Sequence, residues 1–332
     1  MEKISFIGCG SWGGALGKVL SEKGYKIKMW HRNPKIVLNL AQSRKHYIIP
    51  ELVFNNNVSF TSNLEEVLEY SSILILAIPS QTIRSVLKNK EQIFNKNKLI
   101  VNVSKGIEIN TLMTISQLIK SLGGTSYKNI VTLSGPSHAE EVIKEFPTTL
   151  VAASKNEMLG KKIQKIFHTS YLRTYYNKDI IGVELGGSMK NVIAIAAGIC
   201  DGIGYGDNSK AALITRGMAE IARLGKTMGA KDETFIGLSG FGDLIVTCLS
   251  KHSRNRQLGQ AIGEGKSLKN IQKNMNMVAE GVNTSKSVHR LNKKYQIEMP
   301  IHEAIYNVLF CEDDPKLAVQ KLMNRKLSIE NN

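Results

Sequence analysis

The sequence predicts an α/β fold: a doubly wound, mostly parallel sheet over residues 1–180, followed by an all-α C-terminal domain over residues 181–332. Three observations carry that expectation. A short apolar run at the N-terminus leads straight into a glycine-rich turn and then a helical pattern. Further short apolar runs alternate with helical or loop stretches. From about Ile180 the period lengthens to that of long helices.

The elements follow in order. Residues 3–7 (Lys-Ile-Ser-Phe-Ile) are the first apolar run, residues 8–14 hold the glycines, and Ala15, Leu16, Val19 and Leu20 recur at helical spacing. Lys23-Gly24 breaks that helix, and residues 26–30 read as a second strand, closing a right-handed strand-helix-strand unit. Apolar runs at 73–78, 99–103, 130–133 and 149–152 extend the alternation, and residues 183–199 and 211–228 have the composition of long helices. No Pro-rich linker or repeat separates the halves, so the boundary rests on the change of period alone. Two domains that meet without a flexible linker leave a cleft between them, where a ligand is expected.

The 44 Lys and Arg against 28 Asp and Glu give a net charge of +16, which suits an anionic partner. Many lysines are dispersed, as in Asn95-Lys96-Asn97-Lys98 and Lys293-Lys294, the pattern of a solvated basic surface. Charge alone does not choose among a small phosphorylated substrate, nucleic acid and membrane headgroups, although nucleic acid is not the expected partner. Cys9, Cys200, Cys248 and Cys311 lie far apart, which argues against a zinc site or a disulfide framework and for a reducing, cytoplasmic compartment. The chain runs from Met1 directly into a strand, and no stretch is expected to reach the length of a membrane span. The reading is compatible with a homodimer.

Gly8-Cys9-Gly10-Ser11-Trp12-Gly13 matches G-x-G-x-x-G where physics needs it, directly after the first strand and opening the first helix. In this Rossmann-like setting Gly8 permits the tight turn, Gly10 lets backbone approach a pyrophosphate, and Gly13 lets helix pack on strand. The helix N-terminus adds unpaired N–H groups and positive potential. Ser11 and Trp12 form the loop tip, with Trp12 readable either as a phosphate neighbour or as packing. The second strand ends Trp30-His31-Arg32-Asn33, a basic pair with no carboxylate for the ribose. NADPH or NADH is the expected cofactor, with NADPH preferred.

Three features mark the second half. Glu184-Leu185-Gly186-Gly187-Ser188-Met189-Lys190-Asn191 leads into the apolar run 192–197, so Lys190 enters buried surroundings. It either snorkels out as a structural lysine or loses solvation, and lost solvation lowers its pKa into the range useful for proton transfer. Asp243, in Gly240-Phe241-Gly242-Asp243-Leu244, either balances a lysine or caps a helix. Lys251-His252-Ser253-Arg254-Asn255-Arg256 concentrates donors as a phosphate clamp does, or as a solvated basic loop does.

Along essentially its whole length the chain resembles the bacterial NAD(P)-dependent glycerol-3-phosphate dehydrogenases. Besides the glycine loop, the resemblance is carried by Val103-Ser104-Lys105-Gly106, Ser134-Gly135-Pro136-Ser137-His138-Ala139-Glu140-Glu141, and Gly182-Val183-Glu184-Leu185-Gly186-Gly187 through Lys190-Asn191. Asp201-Gly202-Ile203-Gly204-Tyr205-Gly206, Ser253-Arg254-Asn255-Arg256 and Val278-Ala279-Glu280-Gly281 complete it, in order. The resemblance implies interconversion of dihydroxyacetone phosphate and sn-glycerol 3-phosphate, feeding glycerophospholipid synthesis. It implies that Lys190 is the catalytic lysine, supported by Asp243. It also implies that Lys105, Gly135, Ser137, Asn191, Thr247, Ser253, Arg254 and Asn255 line the substrate pocket. For the cofactor it implies Ser11, Trp12, His31 or Arg32, Ala139, Val278 and Glu280, with Lys105 and Arg254 near both ligands.

Two rivals differ in class. A two-domain hydroxyacid or ketopantoate reductase is expected to recognise a carboxylate and to lack the full Ser-Arg-Asn-Arg and Val-Ala-Glu-Gly set. A dinucleotide-binding sensor or nucleic-acid module fits the +16 charge but gives Lys190, Asp243 and Arg254 no reason to be together.

Overall fold

A computed structural model describes residues 2–95, 98–124, 128–274, 278–327 and 329–330. Its first part is one eight-stranded sheet: β1 (Lys3–Ile7), β2 (Lys26–Trp30), β3 (Val58–Thr61), β4 (Ile73–Leu76), β5 (Leu99–Asn102), β6 (Ile130–Ser134), β7 (Thr148–Ala153) and β8 (Leu172–Asn177). The spatial order is β3-β2-β1-β4-β5-β6-β7-β8. All pairs are parallel except β6 with β7, where Thr132 faces Ala153. β4 and β5 are buried at every position, as continuous apolar runs must be when helices cover both faces of a sheet.

Each apolar run read from the sequence is a strand, but β3 and β8 were not among them. β3 lies at one edge of the sheet and β8 at the other. An edge strand faces water on one side, so Val58-Ser59-Phe60-Thr61 and Leu172-Arg173-Thr174-Tyr175-Tyr176-Asn177 carry polar residues that dilute the apolar signal.

Strand order reverses between β1 and β4, and in such sheets the crevice beyond the carboxyl ends at this point is the ligand site. Gly8 follows β1 there with φ +107, and a Cβ on it would lie 2.4 Å from the Ala77 carbonyl oxygen beyond β4. Only glycine lets the two turns meet so closely.

The sheet ends at Asn177, and a helix runs from Ile180 to Ile203 through the middle of the second half, capped by the Asp179 side chain. The expectation that no stretch has the length of a membrane span needs correction. This helix is long and apolar enough by length and composition, with a hydropathy of 1.4. It is apolar all round because it is the core: 94% of its most apolar window is buried inside the fold. Glycines bring the helix Arg254–Gly263 unusually near, since a Cβ on Gly198 would lie 2.0 Å from the Arg256 carbonyl oxygen and one on Gly259 2.0 Å from that of Ile195. Helices Asp207–Thr227, Asp243–Leu249 and Glu280–Tyr295 pack around the same core.

Candidate active site

The glycine loop ends at Gly10, which precedes the helix Ser11–Glu22 in extended conformation and supplies no side-chain cap. Apart from its chain neighbours, no described residue lies within 4 Å of where a Gly10 Cβ would be, whereas a Cβ on Gly13 would come 2.8 Å from the Gly8 carbonyl oxygen. The result is an open cradle of backbone N–H groups at a helix N-terminus, which fits a pyrophosphate. His46, absent from the sequence reading, braces this loop. Its Nδ1 accepts from the N–H groups of Ile48 (3.2 Å) and Ile49 (3.1 Å), so the proton sits on Nε2 and is donated to the Cys9 carbonyl at 2.9 Å. Burial lowers the His46 pKa and keeps the ring neutral. Ser11 is buried, and half-buried Trp12 packs against the sheet core.

At the tip of β2 the two basic residues differ. His31 is half-buried, its Nδ1 accepts from the Asn33 N–H at 3.1 Å, and its Nε2 lies 3.4 Å from the Tyr47 hydroxyl. Burial lowers its pKa. Arg32 is exposed.

The centre of the cleft is a carboxylate shared by two lysines. Asp243 opens the helix Asp243–Leu249 and is 1% exposed, yet it does not cap it; Gly242 holds the cap position. One carboxylate oxygen pairs with Lys105 Nζ at 2.7 Å and the other with Lys190 Nζ. Lys105 comes from the turn after β5 and Lys190 from the central helix, so the two domains meet at one carboxylate. Lys190 does not snorkel to solvent; it is 5% exposed and also donates to Thr247 Oγ1 at 2.6 Å, which in turn donates to the Asp243 carbonyl. Burial lowers the Lys190 pKa to about 7, against the attraction of Asp243 and with the repulsion of Lys105. Burial alone would raise the Asp243 pKa, but the two ammonium groups outweigh it and hold the carboxyl below its usual range.

Around this centre stand the other residues singled out. Gly135 has φ +147, Lys105 Nζ reaches its carbonyl at 3.5 Å, and Ser137 donates to the same carbonyl at 2.9 Å. Ala139 is buried at the start of a short helix. Asn191 accepts from Asn255 at 3.0 Å, and Asn255 accepts from the Gly281 N–H at 3.0 Å, joining three helices. Ser253 is occupied locally, its hydroxyl capping the helix Arg254–Gly263 by accepting from the Arg256 N–H at 3.2 Å. Arg254 donates to the Val278 carbonyl at 3.3 Å and has no carboxylate within ion-pair distance among the described residues. Glu280 accepts from the Ser80 N–H at 2.9 Å and hydroxyl at 2.8 Å. Ser80 was missed, although it follows β4 at the point where strand order reverses. His138, half-buried, has an Nε2 without a hydrogen-bond partner among the described residues, and burial and Lys190 lower its pKa.

A dinucleotide cradle on the sheet domain, with two lysines on one buried carboxylate where the helical domain meets it, defines a two-domain, nicotinamide-dependent oxidoreductase. Family comparison narrows the class. The sequence model for the N-terminus of NAD-dependent glycerol-3-phosphate dehydrogenase matches residues 3–160, and that for its C-terminus matches residues 179–320. A glycerol-3-phosphate dehydrogenase (NAD(P)+) of a Geobacter species is 45% identical over 331 residues, 99% of each chain. One from Bacillus velezensis is 46% identical over 328 residues, covering 98% of this chain and 95% of its own. The crystal structure of glycerol-3-phosphate dehydrogenase from Coxiella burnetii superposes with a TM-score of 0.93 at 35% identity, covering 98% of this chain and 99% of that one. The chain belongs to the NAD-dependent glycerol-3-phosphate dehydrogenase family.

Proposed function

We propose that the chain interconverts dihydroxyacetone phosphate and sn-glycerol 3-phosphate with NAD(P)H. The observation that carries this reading is the Lys105–Asp243–Lys190 group, two ammonium groups on one buried carboxylate. Residues 1–180 hold the dinucleotide and residues 181–332 supply the proton donor. When bound, NAD(P)H supplies the hydride.

The chain's own residues do the rest. Reduction leaves negative charge on the carbonyl oxygen, and Lys190 meets it with charge and a transferable proton. In the reverse direction the neutral amine takes the hydroxyl proton. A lysine brought to about 7 exchanges that proton near neutrality, which an ordinary lysine does not. Asp243 fixes the amine in place, with Thr247 on its other side. Lys105 adds positive charge to the same pocket. The phosphate is remote from the reacting carbon, and its binding energy orients the ketone. Arg254 suits that role because its charge is not spent on a protein carboxylate, with Asn255, Asn191, Ser253, Gly135 and Ser137 shaping the pocket. Gly8, Gly10, Ser11, Trp12 and Gly13 hold the pyrophosphate, while Ala139, Val278 and Glu280 border the cofactor. Arg32 is the better reader of a 2′-phosphate, because His31 is largely neutral and engaged with Asn33 and Tyr47. The four cysteines are all free, with Cys9, Cys200 and Cys248 buried and Cys311 exposed, which supports a reducing, cytoplasmic location.

A panel of dihydroxyacetone phosphate, dihydroxyacetone and ketopantoate, each with NADPH and NADH, tests this function. Dihydroxyacetone phosphate with NADPH is expected to give the highest kcat/KM. Preferred turnover of ketopantoate would return the chain to the rival reductases, and equal use of the two cofactors would remove the role given to Arg32.

A further inference from the structure

Glu184 is the only carboxylate between Ile180 and Cys200 on the central helix. It points away from the helical core and into the sheet domain. It is 5% exposed and forms no ion pair among the described residues, so hydrogen bonds alone compensate its burial. One oxygen accepts from the Ser116 N–H at 2.9 Å, from the Thr132 hydroxyl at 2.9 Å and from Asn102 Nδ2 at 3.4 Å; the other accepts from the Ser116 hydroxyl at 2.5 Å. All these donors belong to the sheet domain. Asn102 ends β5, Thr132 is its register partner in β6, and Ser116 lies in the first turn of the helix Ile115–Gly123.

The same contacts lead to both lysines. Asn102 accepts from the Ser104 N–H at 3.0 Å, fixing the turn that carries Lys105. Gly106, on the other side of Lys105, donates its N–H to Ser188 Oγ at 2.8 Å, and Ser188 donates to the Glu184 carbonyl at 2.6 Å. Lys190 lies six residues beyond Glu184, roughly 9 Å along the helix. A slide or rotation of the helix against the sheet breaks several directional bonds at once, which apolar packing alone does not enforce.

We propose that Glu184 is a positioning residue for the reaction, pinning the central helix to the sheet domain so that Lys190 and Lys105 converge on Asp243. This rests on the reading of Lys190 as the proton donor. Loosening the pin lets water reach Lys190, whose charged and titratable neighbours are Asp243, Lys105, His138 and Cys248. Hydration removes the main cause of its lowered pKa.

The test compares Glu184→Gln with Thr132→Val, which removes one hydroxyl donor and leaves every charge in place. Both are measured for kcat of dihydroxyacetone phosphate reduction per folded protein, NADPH affinity, and the pH at which kcat falls. The expected result is a kcat loss of about ten- to a hundredfold in Glu184→Gln and a smaller loss in Thr132→Val. NADPH affinity should hold, and the alkaline fall in kcat should move to higher pH in both. Unchanged kcat with an unmoved fall in both variants overturns the proposal. Lys190→Met, run alongside, separates the two readings. If it is inactive while the Glu184 and Thr132 variants behave as wild type, only this inference fails; if it stays active, both fail.

Discussion

Lys190→Met is expected to lower kcat for dihydroxyacetone phosphate reduction by about a hundredfold to ten-thousandfold, the usual value of a positioned proton donor. That range corresponds to about 3 to 5 kcal/mol of transition-state stabilisation. Methionine keeps the length and bulk of lysine, so the core around the central helix stays filled. Asp243 keeps Lys105 at 2.7 Å and is not left as an unpaired buried charge. The cofactor cradle lies on the other domain, so NADPH affinity should not change. Near-normal kcat with an intact circular dichroism spectrum would make Lys190 a space-filling residue and Lys105 the acid.

Arg254→Ala should act on KM. A charge-assisted hydrogen bond contributes about 1.5–3 kcal/mol, so loss of the guanidinium is expected to raise KM for dihydroxyacetone phosphate roughly ten- to a hundredfold. Dihydroxyacetone, with no phosphate to clamp, should be used no worse than by wild type. The helix Arg254–Gly263 should survive, because its cap is Ser253 and its close contact with the central helix runs through Gly198 and Gly259. Equal damage to both ketones would assign Arg254 to the cofactor or to structure.

Much of this was legible in the residues, for physical reasons. The glycine loop announces itself because each glycine answers a steric demand, as Gly8 does against Ala77. The central strands announce themselves because burial on both faces favours apolar residues at most positions. Lys190 was legible as a charge in an apolar helix, but the sequence left open whether it snorkels; the fold closes that choice by setting Asp243, 53 residues away, against it. Asp243 had read equally as a helix cap, since pairing across such a separation leaves no local pattern.

What stayed hidden depends on tertiary neighbours. Glu184 stood in the open as an acid in an apolar run, yet its donors come from two strands and a helix of the other domain. His46 looks like any loop histidine until its two nitrogens are seen to bracket the glycine loop. Ser253 illustrates the reverse case, because a serine before a helix is a cap by local rules, and its hydroxyl caps here within a segment otherwise suited to phosphate. The edge strands β3 and β8 are a further instance, half-solvated and therefore weakly patterned.

The central claim is that one buried lysine with a pKa brought down to about 7 carries the proton in both directions. Its most direct test is the pH dependence of kcat measured separately for reduction and oxidation. Reduction requires the protonated amine, present below the pKa and lost as pH rises through it, so kcat should fall with rising pH near neutrality. Oxidation requires the neutral amine, so kcat should rise over the same interval. Opposed profiles crossing near neutrality in wild type, and absent in Lys190→Met, are the result this account predicts; profiles that move together, or that survive unchanged in Lys190→Met, would contradict it.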